Sequence, residues 1–330
     1  AGFELTAEKA VQQAKIILDT MLSDSRVTIN SASVKGNLVS QTVVNSKGLE
    51  VSEDRTCYES QIMGFAREED EVSSFEIADI SATEFNKLPI KQTAQELADK
   101  LISTLGASSV ASFTGDVILS PMAVYDLVLR PLAKVITGEA VITDMSPLQG
   151  KLGEEIANSN FTLWDDPTLP GGYNSRSFDR EGVPAQKTTV IAEGRLNSFL
   201  HTYKTALETE SKPTGNLLGD DQELNNTVTN LVVSPGEDSL DEMIEDIQQG
   251  IIVNRFSGNS DPVSGDFSGV VKGGFYIEQG EIVKPVREVM IAGNFYEALH
   301  RLAKVADKQE GIANCYTPHL QFTDISITGQ

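Results

Sequence analysis

The chain has 330 residues, of which 40% are hydrophobic and 22% charged, and 26 Lys and Arg stand against 48 Asp and Glu for a formal net charge of −22. That length supports two domains with separate cores. Duplex-binding proteins gain affinity by neutralising phosphates with a basic face, and no Lys/Arg cluster supplies one, so direct nucleic-acid contact is not expected.

In chain order, Ala10, Ala14, Ile17, Leu18 and Met21 recur at helical spacing, which predicts a helix over 7–22 with Thr6 as its N-cap. Short β-branched runs follow at Val27–Ile29, Val39–Val44 and Leu49–Val51, broken by Gly36 and by Ser46-Lys47-Gly48. A second helix is predicted over 94–105, with Thr93 and Glu96 as a capping box and Gly106 as its end. Ser120 and Pro121 open a third over 121–137, ended by Gly138. The stretch 165–186 is rich in Asp, Pro and Gly and reads as a long surface loop, either functional or a plain connection. Two hairpins are predicted, Thr188–Ala192 with Arg195–Leu200 and Gly274–Ile277 with Glu281–Val283. Between them Ser239 and Glu242 cap a helix over 240–249 ended by Gly250, and Asn294 with Glu297 opens another over 295–305. Leu320–Ile327 alternates as a final strand. Without a regular βαβ rhythm, the expected class is α+β, with antiparallel sheets and packed helices. The boundary is expected near 106–115, which gives domains 1–108 and 109–330.

No apolar run reaches the roughly 18–20 residues of a bilayer span, and Ala1–Leu5 has no secretory character. The chain also lacks an initiator Met, as expected of a processed protein or a piece of a longer one. Cys57 and Cys315 form no disulfide framework, which favours a reducing, cytoplasmic setting. The sequons at Asn160 and Asn225 are read as chance.

The segment from Pro262 through Gly265-Asp266, Gly273-Gly274 and Gly293-Asn294 resembles the C-terminal signature of the TldD/PmbA family. Phe178-Asp-Arg-Glu-Gly182 followed by Gly194-Arg-Leu196, the Lys212-Pro-Thr-Gly215 loop and the ending Ile325–Gln330 resemble three further blocks in the same order. Residues 1–105 resemble the family's middle region, and its usual N-terminal portion is not seen. Glycines at 265, 269, 273, 274, 280 and 293 serve either tight turns and bulges or the close approach of a bound peptide's backbone. Gly265, Asp266, Gly273, Gly274, Gly293 and Asn294 are accordingly candidate peptide-channel or fold-signature positions.

Catalytic members of the family carry His-Glu-x-x-x-His on a helix, two imidazoles for zinc and a carboxylate base, with a later Cys completing the set. Here the corresponding helix reads Pro121-Met-Ala-Val-Tyr-Asp126. Pro121 and Asp126 stand in place of the histidines and Met122 in place of the Glu, so no zinc site is expected there. His201, His300 and His319 read as surface or satisfied polar residues, and Cys315 as a retained structural thiol. No nucleophile elbow, Walker loop or Rossmann fingerprint occurs. Asp165-Asp166 and Asp220-Asp221 lack EF-hand spacing and read as solvated loop acids. The acidic series from Glu237 to Asp246 reads as a solvated helix start and face.

The resemblance implies a non-catalytic partner subunit, belonging to the branch without the zinc motif. It would hold no cofactor itself, pair with a zinc-bearing TldD-like paralogue or with a second copy, and wall a channel for unfolded peptides or precursors. Two alternatives stay open: a peptidase with an unrecognised metal or nucleophile site, and a stand-alone peptide-binding or regulatory homodimer. The family's older association with DNA gyrase suggests regulation, and the acidic charge argues against its acting through DNA contact.

Overall fold

The computed structural model describes residues 3–219 and 222–329. Its α+β architecture has two parts, built around separate apolar clusters.

In the first part, Val27–Val44 and Glu50–Glu68 form one long antiparallel hairpin, and Glu76–Ala82 adds to the outer side of Glu50–Glu68. The helices Ala7–Met21 and Ile90–Ser103 cover this sheet, burying Ile17, Met21, Ala94, Leu97 and Leu101 against Ile62 and Ala66. Thr6 caps the first helix by accepting from Lys9 N at 3.3 Å. Gly36 does not break the strand as expected. It pairs with Tyr58, and a Cβ there would lie 2.9 Å from both Tyr58 Cδ1 and Leu5 Cδ2, so the glycine admits an aromatic ring to the sheet face. The second helix also differs from expectation. It starts at Ile90 behind Pro89 with no side-chain cap, and Thr93 is buried inside it.

The second part holds a nine-stranded sheet and a six-stranded sheet, both mostly antiparallel. Each contains one parallel pair: Gln249–Val253 on Phe113–Leu119, and Leu231–Val233 on Cys315–Thr317. Both predicted hairpins form, as Thr188–Ala192 with Arg195–Leu196 and Gly274–Glu278 with Glu281–Val286. The tail strand Leu320–Thr328 lies between Phe113–Leu119 and Met290–Asn294.

Three helices are shorter than periodicity suggests. The third is α-helical over Pro121–Val124, widens to a π turn over Tyr125–Leu129 and resumes over Arg130–Val135. Gly138 does not end it but opens a separate helix, Gly138–Ile142, capped by Thr137. The Ser239/Glu242 box forms, but its helix stops at Glu245. Gly250 instead lies in a strand, where a Cβ would come within 2.5 Å of Asp116 O on the parallel neighbour. The helix opened by Asn294 ends at His300 because Leu302–Val305 pairs with the tail.

The stretch 165–186 is not a plain surface loop. Asp165, Asp166, Phe178 and Asp179 are buried within it. Asp165 accepts from Thr229 N at 2.6 Å and Asn216 Nδ2 at 2.7 Å, and Asp179 accepts from Glu181 N, Val183 N and Leu217 N. Asp165-Asp166 are therefore structural acceptors rather than solvated loop acids. Asp220-Asp221 lie outside the described residues. The same stretch meets the long hairpin: Gln41 Nε2 donates to Asp179 O, Glu53 Oε2 accepts from Ser177 N, and Tyr173 donates to Glu59 Oε1.

Candidate functional site

Ser120 ends the strand Phe113–Leu119 and fixes the start of the next helix. Its amide donates to Val253 O at 3.0 Å and its hydroxyl to Asn254 O at 2.5 Å, while the hydroxyl oxygen accepts from Ala123 N. With Pro121 locked at the first helical position, this start is fixed in direction and faces a cleft of about 960 Å³ between the two parts of the fold. One wall is the strand Glu76–Ala82 and the helix Ile90–Ser103. The other is Ser120-Pro121-Met122, residues 308–312 and His319.

Two strand edges border the cleft. Glu76–Ala82 pairs only with Glu50–Glu68, and Glu310–Ile312 only with Cys315–Thr317, among the described residues. Each therefore leaves the main-chain donors and acceptors of one side without a strand partner among the described residues. Such edges pair readily with an added extended segment.

Behind the cleft sits a buried carboxyl. Glu76 is 1% exposed, with Lys100 Nζ 3.4 Å from Oε2, and Oε1 has no partner. Burial raises its pKa, against the opposing pull of the Lys100 and Arg255 charges. Gly273 packs directly on Oε1 at φ +61°, and its carbonyl accepts from Asn254 Nδ2. A Cβ at 273 would collide with the carboxyl, so this glycine joins the two parts of the fold. His319 faces the same cleft, its pKa pushed down to about 4 by burial and by Lys100.

The other candidate positions stand elsewhere. Gly274 packs against Val271 and lies 2.6 Å, at its Cβ position, from Ile252 O within the large sheet. Asn294 caps the helix that follows it, and its Nδ2 donates to Ser264 O at 2.7 Å and Asp266 Oδ1 at 3.0 Å. Gly265, at φ +83°, lets Tyr296 close over that turn, and Gly293 sits under the Phe267 ring. The structure thus brings Gly273 to the rear of the cleft and ties Gly265, Asp266, Gly293 and Asn294 into one turn lock.

His201 is buried with Nδ1 3.3 Å from Thr205 Oγ1, and His300 is exposed at a helix end. Cys315 is buried, and burial, then Asp165, pushes its thiol up to about 12. Asp126 is half-buried, its pKa raised by burial against Arg130 and Arg255. Among the described residues no group of three or more His, Cys, Asp and Glu is placed to hold a metal ion. Glu76 and Lys100 escaped the sequence reading. The available signal was a charged residue at an inward position of a strand between Phe75 and Ile77.

Comparison with known proteins agrees with this architecture. The family model of the PmbA/TldA metallopeptidase central domain matches residues 2–105, and that of the C-terminal domain matches 112–329. A metalloprotease of Methanothermobacter thermautotrophicus is 32% identical over 231 residues, which cover 68% of this chain and 50% of that protein. The chain thus matches about half the length of that relative. The crystal structure of TldE from Thermococcus kodakarensis superposes with a TM-score of 0.91 at 25% identity, covering 99% of this chain and 75% of the other. A Thermotoga maritima protein, described as a candidate modulator of a DNA gyrase, gives the same TM-score at 27% identity, with 98% and 75% covered. With both domain models matched in order along the chain and the fold shared with these structures, the chain belongs to the PmbA/TldD metallopeptidase family.

Proposed function

We propose that this chain is the non-catalytic subunit of a peptide-degrading or precursor-trimming assembly, in which a zinc-bearing paralogue supplies the chemistry. The observation that carries the reading is the chemistry of the helix start facing the cleft. Zinc takes N, S or O donors at about 2.0–2.3 Å, with thiols bound as thiolates. Pro121 offers no donor, Met122 only a thioether and Cys315 a thiol held in its protonated form, which leaves the Asp126 carboxylate as a single donor where zinc needs three or four. These side chains do not fit a zinc ion. The cleft retains what suits a peptide, namely two strand edges with one unpaired side each and walls that include Lys100 and His319. On this reading the chain holds an extended segment by main-chain hydrogen bonds and leaves hydrolysis to the partner.

The test is elemental analysis and a peptidase assay on the purified chain, alone and mixed with a paralogue carrying His-Glu-x-x-x-His. The expected result is zinc well below one per chain alone, with activity only in the mixture. One tightly held zinc per chain, or peptidase activity without the paralogue, overturns the reading.

A further inference from the structure

A second pocket, of about 370 Å³, shares no lining residue with the cleft. It forms where the long hairpin crosses the stretch after Asp165, and its walls include Arg55, Tyr173, Asn174, Arg176, Thr227 and Asn314. Arg55 comes from the strand Glu50–Glu68 and Arg176 from the loop, 121 positions apart in sequence. Only the fold brings them together.

Neither guanidinium forms an ion pair among the described residues. Arg176 is anchored by Nε donating to Asn174 O at 3.0 Å and by its backbone amide donating to Pro167 O at 2.9 Å. Its terminal nitrogens have no hydrogen-bond or ion-pair partner among the described residues, and no side-chain nitrogen of Arg55 has one. Arg55 Nε is moreover shut off from solvent. Burial, then the neighbouring Arg55 charge, pushes Arg176 down to about 10. Glu53, Asp165 and Asp179 pull the other way, but none forms an ion pair with it. Two like charges held close together with no directly paired carboxylate among the described residues are unfavourable to desolvate. Among the described residues they are the only charged lining groups of this pocket, in a chain of net charge −22. An oxyanion resolves both problems, because the guanidinium fork matches carboxylate and phosphate oxygens with two parallel N–H bonds.

We propose that this pocket is a binding site for a small oxyanion, a carboxylate or phosphate group clamped between the Arg55 and Arg176 guanidiniums. The test is isothermal titration of the full chain with inorganic phosphate, succinate and neutral succinamide at fixed ionic strength. Saturable binding of phosphate or succinate, with none of succinamide, is expected. A preference for phosphate identifies a tetrahedral oxyanion as the ligand, and one for succinate a carboxylate. Arg55→Gln and Arg176→Gln should each weaken binding at least about tenfold, whereas Arg195→Gln, far along the chain on a hairpin, should not. Arg55 is only half-buried, so Arg55→Gln tests the site even if Arg176→Gln fails to fold. No saturable binding at millimolar anion, or binding unchanged by Arg55→Gln, overturns the proposal.

Discussion

Replacing Gly273 by Ala tests the joint between the two parts of the fold. At φ +61° an alanine costs about 1–2 kcal/mol in the left-handed region, offset by less than about 1 kcal/mol of unfolded-state entropy. The larger penalty comes from its Cβ, which collides with Glu76 Oε1, backed by a carboxyl 1% exposed and held by Lys100 at 3.4 Å. Expelling that carboxyl breaks a buried pair, an effect of about 3–5 kcal/mol where the pair is fully desolvated. Lys100 is about one-third exposed, so roughly half of that applies here. The expected total for Gly273→Ala is about 3 kcal/mol. Glu76→Ala alone should cost about 1–2 kcal/mol, since it removes the Lys100 pair on Oε2 but also a buried Oε1 that already lacks a partner. In the Glu76→Ala background the methyl has room, and Gly273→Ala should then cost only the backbone term. Urea unfolding, followed by circular dichroism and by fluorescence of the single Trp164, gives the three free energies. Strict additivity within about 0.5 kcal/mol, or a single-variant cost below about 1 kcal/mol, would refute the steric account.

Asp165→Asn should destabilise by about 1–3 kcal/mol in urea unfolding, because both carboxyl oxygens accept bonds and the amide nitrogen would face a donor from Thr229 N or Asn216. His319 titrates at about 4 in the fold against 6.5 unfolded. The unfolded chain therefore binds the extra proton between those values, and the stability present above pH 6.5 is lost as pH falls toward 4. His319→Gln should flatten this slope by about 1–3 kcal/mol over that window, read as the difference in urea midpoints between pH 7 and pH 5. Asp165, raised to about 6 by burial, slopes the other way between about 4 and 6. For that reason the comparison is made between variants rather than on the wild type alone. Ser120→Ala should cost about 1–2 kcal/mol by removing the cap on Ala123 and the bond to Asn254 O, measured by the same unfolding experiment.

Local chemistry was legible in the sequence wherever a short-range rule decided the outcome. Thr6, Ser120 and Ser239 cap the helices they were expected to cap, because capping needs only a side-chain oxygen and an amide two or three residues on. The two hairpins and the tail strand follow from turn residues and alternation for the same reason. Helix ends were not legible. The helix opened at Ser239 stops at Glu245, short of the strand Gln249–Val253, and Leu302–Val305, expected as helix, is claimed by a strand partner distant in sequence. Gly36 and Gly250 read as breaks but serve close approach, against Tyr58 and against Asp116 O, which no local pattern encodes. The sequence also carried the Pro121-Met122 start, since side-chain identity alone sets what donors a helix can offer. Tertiary structure alone decided the cleft, the Glu76–Gly273 joint and the pairing of Arg55 with Arg176. Each depends on segments separated by many residues of chain, where burial rather than spacing sets charge, register and approach.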